Sequence, residues 1–231
     1  MRTASVLRLL AVCVCLAKVV EAQQDSAEST WVTDGPVYAV TTSSAVTFIG
    51  GDFTRVGPYT GRGVPILLTD GKAVAVYPMV NGEVLAVASD GAGGWYIGGS
   101  FTRVGGLARN YVARILVTGT VDTGWNPNAN GTVRALVAGS GKVFVGGDFT
   151  VIGGASRSRL AALDPTSGAA ASGWDPSPNN VVRALTLFGS TLFVGGDFTV
   201  IYGLGRSKLA AVDVTAGVPA PSWNPGGALG I

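Results

Sequence analysis

The feature that most constrains this chain is a short string that recurs four times at nearly equal spacing. Gly-Gly-(Asp/Ser)-Phe-Thr occupies residues 50–54, 98–102, 146–150 and 195–199, at intervals of 48, 48 and 49 residues. Self-similarity at such a period is typical of solenoids and propellers. The sequence therefore predicts four copies of one unit of roughly 49 residues.

A second marker keeps the same register. Trp125, Trp174 and Trp223 are 49 residues apart, and each is followed by one residue and then Pro; Tyr77-Pro78 occupies the equivalent place in the first copy. Two independent markers in one register predict a repeat domain with copies at about 36–80, 81–129, 130–178 and 179–226 of residues 36–231.

Each copy is predicted to form four short strands. In the third copy, Val133–Val137 alternates apolar and polar residues, residues 142–147 are rich in Val and Phe, a third strand spans about 159–163, and an outer strand ends at Trp174. The 35 glycines of the chain argue against a helical bundle. One such antiparallel meander buries too little apolar surface to be stable alone. We therefore expect an all-β fold, a β-propeller of four-stranded antiparallel blades packed face to face.

The number of blades in the assembled ring is left open by the repeat count. Four is the smallest number found in propellers. The four copies are compatible with a closed four-bladed ring, with part of a longer propeller, and with half of a homodimeric ring.

The marker residues themselves are expected to be structural. The glycine pair is predicted to lie where strands crowd together and no side chain fits, with one glycine at positive φ. The tryptophans are expected to cap the outer strand against the next blade, and the repeated phenylalanines to fill the seam between blades, namely Phe53, Phe101, Phe149 and Phe198.

An acidic residue follows the glycine pair in three of the four copies, and Ser100 replaces it in the second. Asp and Ser both accept hydrogen bonds from backbone N–H groups, which favours a role in turn stabilisation. The alternative is a weak calcium site built from carboxylates around a central channel. Its candidate ligands are Asp52, Asp148 and Asp197.

Candidate partner-binding residues come from a repeated basic position and from segments where the copies differ. The basic position (Arg109, Arg157, Arg206) can either bridge to a carboxylate of a neighbouring blade or line a face that binds an acidic partner. The variable segments are residues 55–64, 107–111 and 202–206. The full set of candidates is Arg55, Tyr59, Arg109, Tyr111, Arg157, Tyr202 and Arg206.

The N-terminus has the three parts of a secretory signal. Residues 1–22 carry a basic start, a short apolar run and a cleavage site before Gln23, and a polar lead-in follows over residues 23–35. This segment holds both cysteines, three of the 16 basic residues and one of the 14 acidic residues, which leaves 13 of each charge. The mature protein is thus predicted to be secreted or extracytoplasmic, uncharged overall, without disulfides or a transmembrane segment, and not to bind nucleic acid.

Several kinds of catalysis are excluded by composition. The chain contains no His, and after cleavage it contains no Cys, so a Ser-His-Asp triad, a Cys nucleophile and an imidazole-bound metal are all excluded. No cofactor is implied beyond the weak calcium candidate. Asn130-Gly131-Thr132 is a glycosylation sequon that matters only in a eukaryotic secretory route.

The marker strings resemble a known repeat. Gly-Gly-Asp-Phe-Thr-x-Ile-Gly-Gly, a later Leu-Ala-Ala-Leu-Asp and Trp-x-Pro are similar to the delta-60, or DUF5122-type, β-propeller repeat of secreted bacterial proteins, over about residues 36–226. The resemblance implies a propeller in an exported or surface protein with no established common activity. Kelch repeats share the Gly-Gly strand end and a downstream Trp, and quinoprotein dehydrogenases have a docking pattern similar to Ala162, Asp164, Gly168 and Trp174.

These observations favour a secreted or cell-surface propeller that acts as a non-catalytic scaffold for a protein or glycan partner. Whether the protein is an enzyme stays open. The alternatives are the propeller portion of an extracytoplasmic enzyme, either quinoprotein-like or based on Asp residues, and a structural spacer module of a larger surface protein. A homo-oligomer is expected if four blades do not close.

Overall fold

A computed structural model describes residues 33–42, 46–54, 63–67 and 77–225 of the chain. The predicted signal and most of the lead-in therefore lie outside the described residues. No helix in these ranges has the length and hydropathy of a membrane span. The strands, in chain order, are β1 (Val37–Thr42), β2 (Val46–Gly51), β3 (Gly63–Leu67), β4 (Val84–Ser89), β5 (Trp95–Gly99), β6 (Arg103–Val104), β7 (Leu107–Ala108), β8 (Val112–Ile115), β9 (Val133–Gly139), β10 (Lys142–Gly147), β11 (Val151–Ile152), β12 (Ala155–Ser156), β13 (Leu160–Leu163), β14 (Val182–Phe188), β15 (Thr191–Gly196), β16 (Val200–Ile201), β17 (Leu204–Gly205) and β18 (Leu209–Asp213).

These strands form one three-stranded antiparallel sheet in each copy. Sheets 1 to 4 have the orders β1-β2-β3, β4-β5-β8, β9-β10-β13 and β14-β15-β18. In copies two to four, the connection from the second to the third strand folds into a short hairpin: β6-β7, β11-β12 and β16-β17. The all-β class and the antiparallel pairing are as predicted, and the hairpin is an addition that the sequence reading missed.

The predicted fourth strand is absent from the described sheets. In the third copy it is reduced to a single bridge between Leu163 and Ala170. The next carbonyl, that of Ala171, accepts a hydrogen bond from the guanidinium of Arg157 at 2.9 Å. A side chain thus takes the acceptor that a longer strand would need, so the expectation of four-stranded blades is wrong for these sheets.

Consecutive sheets pack through their first strands, with β1 beside β4, β4 beside β9 and β9 beside β14. The first glycine of each pair makes this approach possible. A Cβ on Gly50, Gly98 or Gly146 would lie 2.4 Å from a Cγ1 of the first valine in the following sheet. We call each such contact a seam.

The second glycine of each pair is needed for a different contact. A Cβ on Gly147 would lie 2.1 Å from the carbonyl oxygen of Thr132, which precedes the first strand of the same sheet. The glycine pairs do not have positive φ, so that expectation is wrong. Their requirement is for space, and the prediction that no side chain fits at the first three pairs is confirmed.

The repeated aromatic residues pack at the seams, except that Phe53 packs against residues of its own sheet. All four marker phenylalanines are buried, as predicted. Trp125 Nε1 donates to the carbonyl of Asp164 at 3.1 Å, and Trp174 Nε1 donates to the carbonyl of Asp213 at 3.2 Å, so each indole is bonded to the next sheet. Every copy also has one ring pair with centroids 4.9–5.3 Å apart: Phe48–Tyr77, Tyr96–Trp125, Phe144–Trp174 and Phe193–Trp223.

Replacing Gly146 with Ala is expected to lower the free energy of unfolding by about 1–3 kcal/mol, because the new methyl group overpacks the seam against Val182. Urea denaturation measures the loss. In a double-mutant cycle with Val182→Ala the two changes should compensate in part. Strictly additive losses would mean that this approach does not limit the seam.

Candidate functional site

The repeated sheets present two kinds of edge. At the hairpin edge, the second strand ends in the Gly-Gly-x-Phe-Thr loop and the short hairpin follows. At the turn edge, tight turns join the first strand to the second, as at Ser140-Gly141 between β9 and β10. Both residues of that turn have positive φ, as a two-residue hairpin turn requires.

An Asn or Asp ahead of each sheet holds the loop at the hairpin edge. Asn130 Oδ1 accepts from the N–H groups of Thr150 and Val151 at 2.8 and 2.9 Å, while its Nδ2 donates to Thr150 Oγ1 at 2.9 Å. Asn81 and Asn179 repeat these bonds, and Asp34 accepts from Thr54 in the first copy. This position keeps the marker register, and the sequence reading overlooked that signal.

The sequon residue Asn130 therefore has a structural role that the other copies share. Its exposed side chain already uses Nδ2, the atom that a glycan would modify, as a donor to Thr150. Asn81 and Asn179 make the same contact outside any sequon. Glycosylation of Asn130 stays a prediction that competes with this bond.

The acidic residues after the glycine pair bind arginine instead of the turn backbone in the last two copies. Asp148 accepts from Arg134 Nε at 2.9 Å, and Asp197 accepts from Arg183 Nε at 2.9 Å. Each arginine is the extra residue of a bulge near the start of its first strand. Bulges re-aim side chains, and here the bulge supplies the partner that the predicted turn-bonding role did not include.

These pairs also bear on the calcium candidate. The hydrogen bond from Arg183 is the largest cause that holds the pKa of Asp197 below its ordinary value. Asp52 is held by interactions of its own. Within the described ranges, no three acidic, His or Cys side chains converge as a metal site would need.

The repeated basic position clamps the loop ahead of each tryptophan. Arg109 donates to the carbonyls of Ala108 and Asp122 at 2.8 and 2.9 Å, and Arg157 and Arg206 make the equivalent bonds in their own sheets. Arg109 and Arg206 are buried. Both are therefore placed inside the fold, away from any face that could meet a partner. Among the described acidic residues, Arg157 approaches only Asp175 of its own copy, at 3.9 Å.

The tyrosine candidates separate into one packed and one displayed side chain. Tyr111 has φ +64° and packs against the core cluster between sheets 2 and 3. Arg159 and Lys208 share its left-handed conformation at the equivalent positions, where each N–H donates to the marker Phe carbonyl at 2.8–2.9 Å. Arg55 and Tyr59 lie outside the described residues.

Tyr202 is the displayed one. It occupies the first position of the β16–β17 hairpin turn with φ +54° and 48% of its surface exposed. The two other hairpins have Gly105 and Gly153 at this position, with φ +57° and +62°. A bulky residue in this region is rare because its Cβ crowds the backbone. The fourth copy thus has an exposed aromatic ring at a position where the two other hairpins have glycine.

The turn edge carries a polar cluster at the seam between sheets 2 and 3. Arg114 donates to Asp90 at 2.8 Å, to Asp122 at 3.4 Å and to the Pro165 carbonyl at 3.3 Å, and it lies over the ring of Tyr96. A cavity of about 350 Å³ lies beside it, lined among others by Ser89, Asp90, Tyr96, Lys142 and Pro165.

The cluster fixes the charge state of Asp90. Burial alone would raise the pKa of this carboxyl, but hydrogen bonds from Arg114 and from the N–H groups of Ala92 and Gly94 outweigh it. The pKa of Asp90 therefore lies below its ordinary value, and the carboxylate is a charged structural partner near neutral pH.

A family model matches two segments of the chain. Residues 93–124 and 138–169 match the model described as a domain of unknown function (DUF5122) beta-propeller. Each segment contains the Gly-Gly-x-Phe-Thr string of its copy, so the predicted resemblance is confirmed over these segments, which end before the Trp-x-Pro marker. The match supports a β-propeller domain in this chain. None of the curated proteins matches this chain significantly.

Some solved structures are similar to this chain at low sequence identity, and the first of those given below supports the fold alone. The computationally designed Ika4 protein is 14% identical with a TM-score of 0.54, and the match covers 82% of this chain and 99% of Ika4. The WD40 beta propeller domain of Doa1 is 13% identical with a TM-score of 0.43, over 81% of this chain and 68% of that chain. BamB from Moraxella catarrhalis is 19% identical with a TM-score of 0.48, over 80% of this chain and 47% of BamB.

Replacing Asn130 with Ala is expected to lower the free energy of unfolding by about 1–3 kcal/mol, because two loop N–H groups lose their acceptor. Asn130→Asp keeps that acceptor, as Asp34 does in the first copy, and should cost less. Chemical denaturation of both variants checks the order. Equal losses would show that the accepted bonds do not hold the loop.

Acid should weaken the fold through Asp90. Its folded pKa is depressed, so its contribution is fully present above the ordinary pKa of about 4 and is lost as pH falls through the lower folded value. Asp90→Asn should therefore reduce stability by about 1–3 kcal/mol at pH 7. The gap to the wild type should close below about pH 4. A gap independent of pH in urea denaturation would contradict the role of the charge.

Proposed function

We propose that this β-propeller domain of DUF5122-type repeats is a secreted, non-catalytic scaffold that binds a protein or glycan partner at its hairpin edge. Three of the described carboxylates support this reading, because Asp90, Asp148 and Asp197 are already engaged by arginines. A general base or a metal ligand needs a carboxylate free for that chemistry. Residues 1–22 support secretion through their signal-like pattern.

Tyr202 is the observation that carries the proposal. It keeps a strained conformation where the two other hairpins have glycine, and strain of this kind is a pointer to a binding role. Leu204 is exposed on the same hairpin. Together they form a small apolar platform next to a sheet whose Arg183–Asp197 pair is exposed.

The chemistry of this platform suits a partner with a flat apolar face. Tyr is enriched in binding hot spots because it buries a large area and keeps a hydroxyl for hydrogen bonding. The corresponding turns of copies two and three are Gly105-Gly106 and Gly153-Gly154. Leu107 and Val151 of these hairpins are as exposed as Leu204, so the aromatic ring is what distinguishes the fourth copy. We infer that recognition is centred on Tyr202 of that copy.

Tyr202→Gly is expected to keep or raise the free energy of unfolding, by up to about 1 kcal/mol, because it relieves the left-handed strain. The ligand is first found by screening the labelled wild-type chain on a glycan array and on the surface of the producing cells. Tyr202→Gly should then abolish binding to that glycan or protein ligand. Stability lost with binding would instead make Tyr202 a structural residue.

The matched control is Val117→Ser, which removes another exposed apolar side chain, near β8 and at the turn edge. It should leave binding intact. Equal loss of binding in both variants would refute a site at the hairpin edge.

Calcium and quinone titrations test the enzyme alternative. Thermal denaturation with and without each compound measures binding to the folded chain, since a ligand specific to the native state raises its stability. We expect no rise in melting temperature. A rise of several degrees would overturn the scaffold proposal in favour of a cofactor-dependent activity.

A further inference from the structure

The outward face of sheet 4 is the one that would meet a following sheet, and it lacks the contacts that the other sheets make there. Leu209 is 39% exposed, whereas the equivalent Leu160 of sheet 3 is fully buried. A Cβ built on Gly195 would meet nothing closer than Ala184 Cβ at 3.6 Å, while a Cβ on Gly146 would clash with Val182. Sheet 4 therefore has an unfilled niche of the kind that accepts a valine at every seam.

The tryptophan of the fourth copy shows the same deficit. Trp125 and Trp174 each donate Nε1 to a carbonyl of the next sheet. Trp223 is only half-buried, and within the described part of the chain its Nε1 has no acceptor. By strand register, Leu67 of the first copy is equivalent to Asp213. A first copy packed on sheet 4 would therefore offer the Leu67 carbonyl oxygen as the acceptor.

The opposite face of sheet 1 carries the matching half of a seam. Val37 and Val40 occupy the positions that Val182 and Leu185 hold in sheet 4, where both of the latter pack into the seam with sheet 3. Val40 is 61% exposed, whereas the equivalent Leu136 of sheet 3 is 8% exposed. Sheet 1 thus leaves Val40 exposed and Val37 only half-buried, packed against Phe53 of its own sheet.

The two unfilled halves are not packed together in the described part of the chain. There, β14 and β1 do not make the extensive contact that β1 makes with β4, β4 with β9 and β9 with β14. The niche on sheet 4 and the valines on sheet 1 are therefore both available to another molecule.

We propose that these two faces bind a second copy of this chain, with sheet 4 of each copy packed on sheet 1 of the other. Val37 of one copy enters the niche at Gly195 of its partner, Val40 packs beside it, and Trp223 Nε1 donates to the carbonyl of Leu67 in the partner copy. A second copy is favoured over an unrelated partner because the geometry is already repeated three times inside the chain with the same residue types.

Two copies related by a twofold axis make this seam twice and cover both sheet 1 and sheet 4 of each copy. A contact between two different faces closes into a ring or grows without limit. A ring of two copies is the smallest closure, and it also removes the exposed apolar faces, which otherwise favour aggregation. The proposal is independent of the proposed function, since the hairpin edge lies at strand ends and the seam lies on sheet faces.

The experiment is the mass in solution of the full chain, by light scattering and sedimentation velocity across a dilution series. We expect twice the mass of the denatured chain. Gly195→Trp fills the niche, where the fold itself has room, and Val40→Lys puts a charge on an exposed position of sheet 1. Each should raise the dissociation constant on the order of 10- to 100-fold, with circular dichroism and melting temperature unchanged.

Mixing the two variants gives the most specific readout. A pair made of one Gly195→Trp chain and one Val40→Lys chain has both changes in one seam and an unaltered second seam, so dimers should reappear. Val117→Lys is the control, because it charges an exposed apolar residue away from both faces and should leave the dimer intact.

A wild-type monomer would overturn the proposal. So would an assembly that persists in both variants, one that Val117→Lys also dissociates, or a mixture that fails to recover any dimer. If Gly195→Trp does not fold, Val40→Lys alone still decides whether sheet 1 takes part, because its side chain is mostly solvated in the single chain.

Discussion

The approach of each first strand to the glycine pair of the preceding sheet sets the geometry of everything else. A valine methyl lies 2.4 Å from the place where a Cβ would stand on Gly50, Gly98 or Gly146, so any larger residue would force the sheets apart. At this separation the marker phenylalanines are buried and the indoles of Trp125 and Trp174 reach carbonyls of the next sheet. A wider spacing would leave voids around these rings and break both indole bonds.

The polar side chains that shape the loops, in contrast, bond within their own copy. The Asn130 side chain serves the loop of its own sheet, and Arg157 serves the loop ahead of its own tryptophan. Arg159 adopts a left-handed conformation in which its N–H donates to the Phe149 carbonyl and its own carbonyl accepts from the Gly147 N–H. It thus bonds both ends of the Gly-Gly-x-Phe-Thr loop. The loops are thus shaped within each copy, and apolar contacts join the sheets together with hydrogen bonds that cross the seams. Trp125, Trp174 and Arg114 donate such bonds to carbonyls of the next sheet.

Sequence reasoning recovered whatever depended on apolar pattern and repeat register. The second strand of the third copy has the predicted bounds, Lys142 to Gly147, and the burial of the repeated Phe was foreseen. The partner of Asp148 could not be read from the pattern, because a bulge at Arg134 turns that side chain out of the simple alternation. The repeated Asn at the register of Asn130 could have been found from the sequence, but the sequon is the one feature that the sequence analysis assigns to it.

The repetition of the same contacts from seam to seam has a consequence for how such chains change over generations. A unit that offers its neighbour the same acceptor carbonyl as the other units can be duplicated, deleted or exchanged by recombination, and the seam indole still meets an acceptor. Each unit also brings a glycine niche on one face and a valine on the other, so any unit can follow any other. The number of sheets is then free to drift, while substitutions such as Tyr202 for glycine accumulate in one unit at a time.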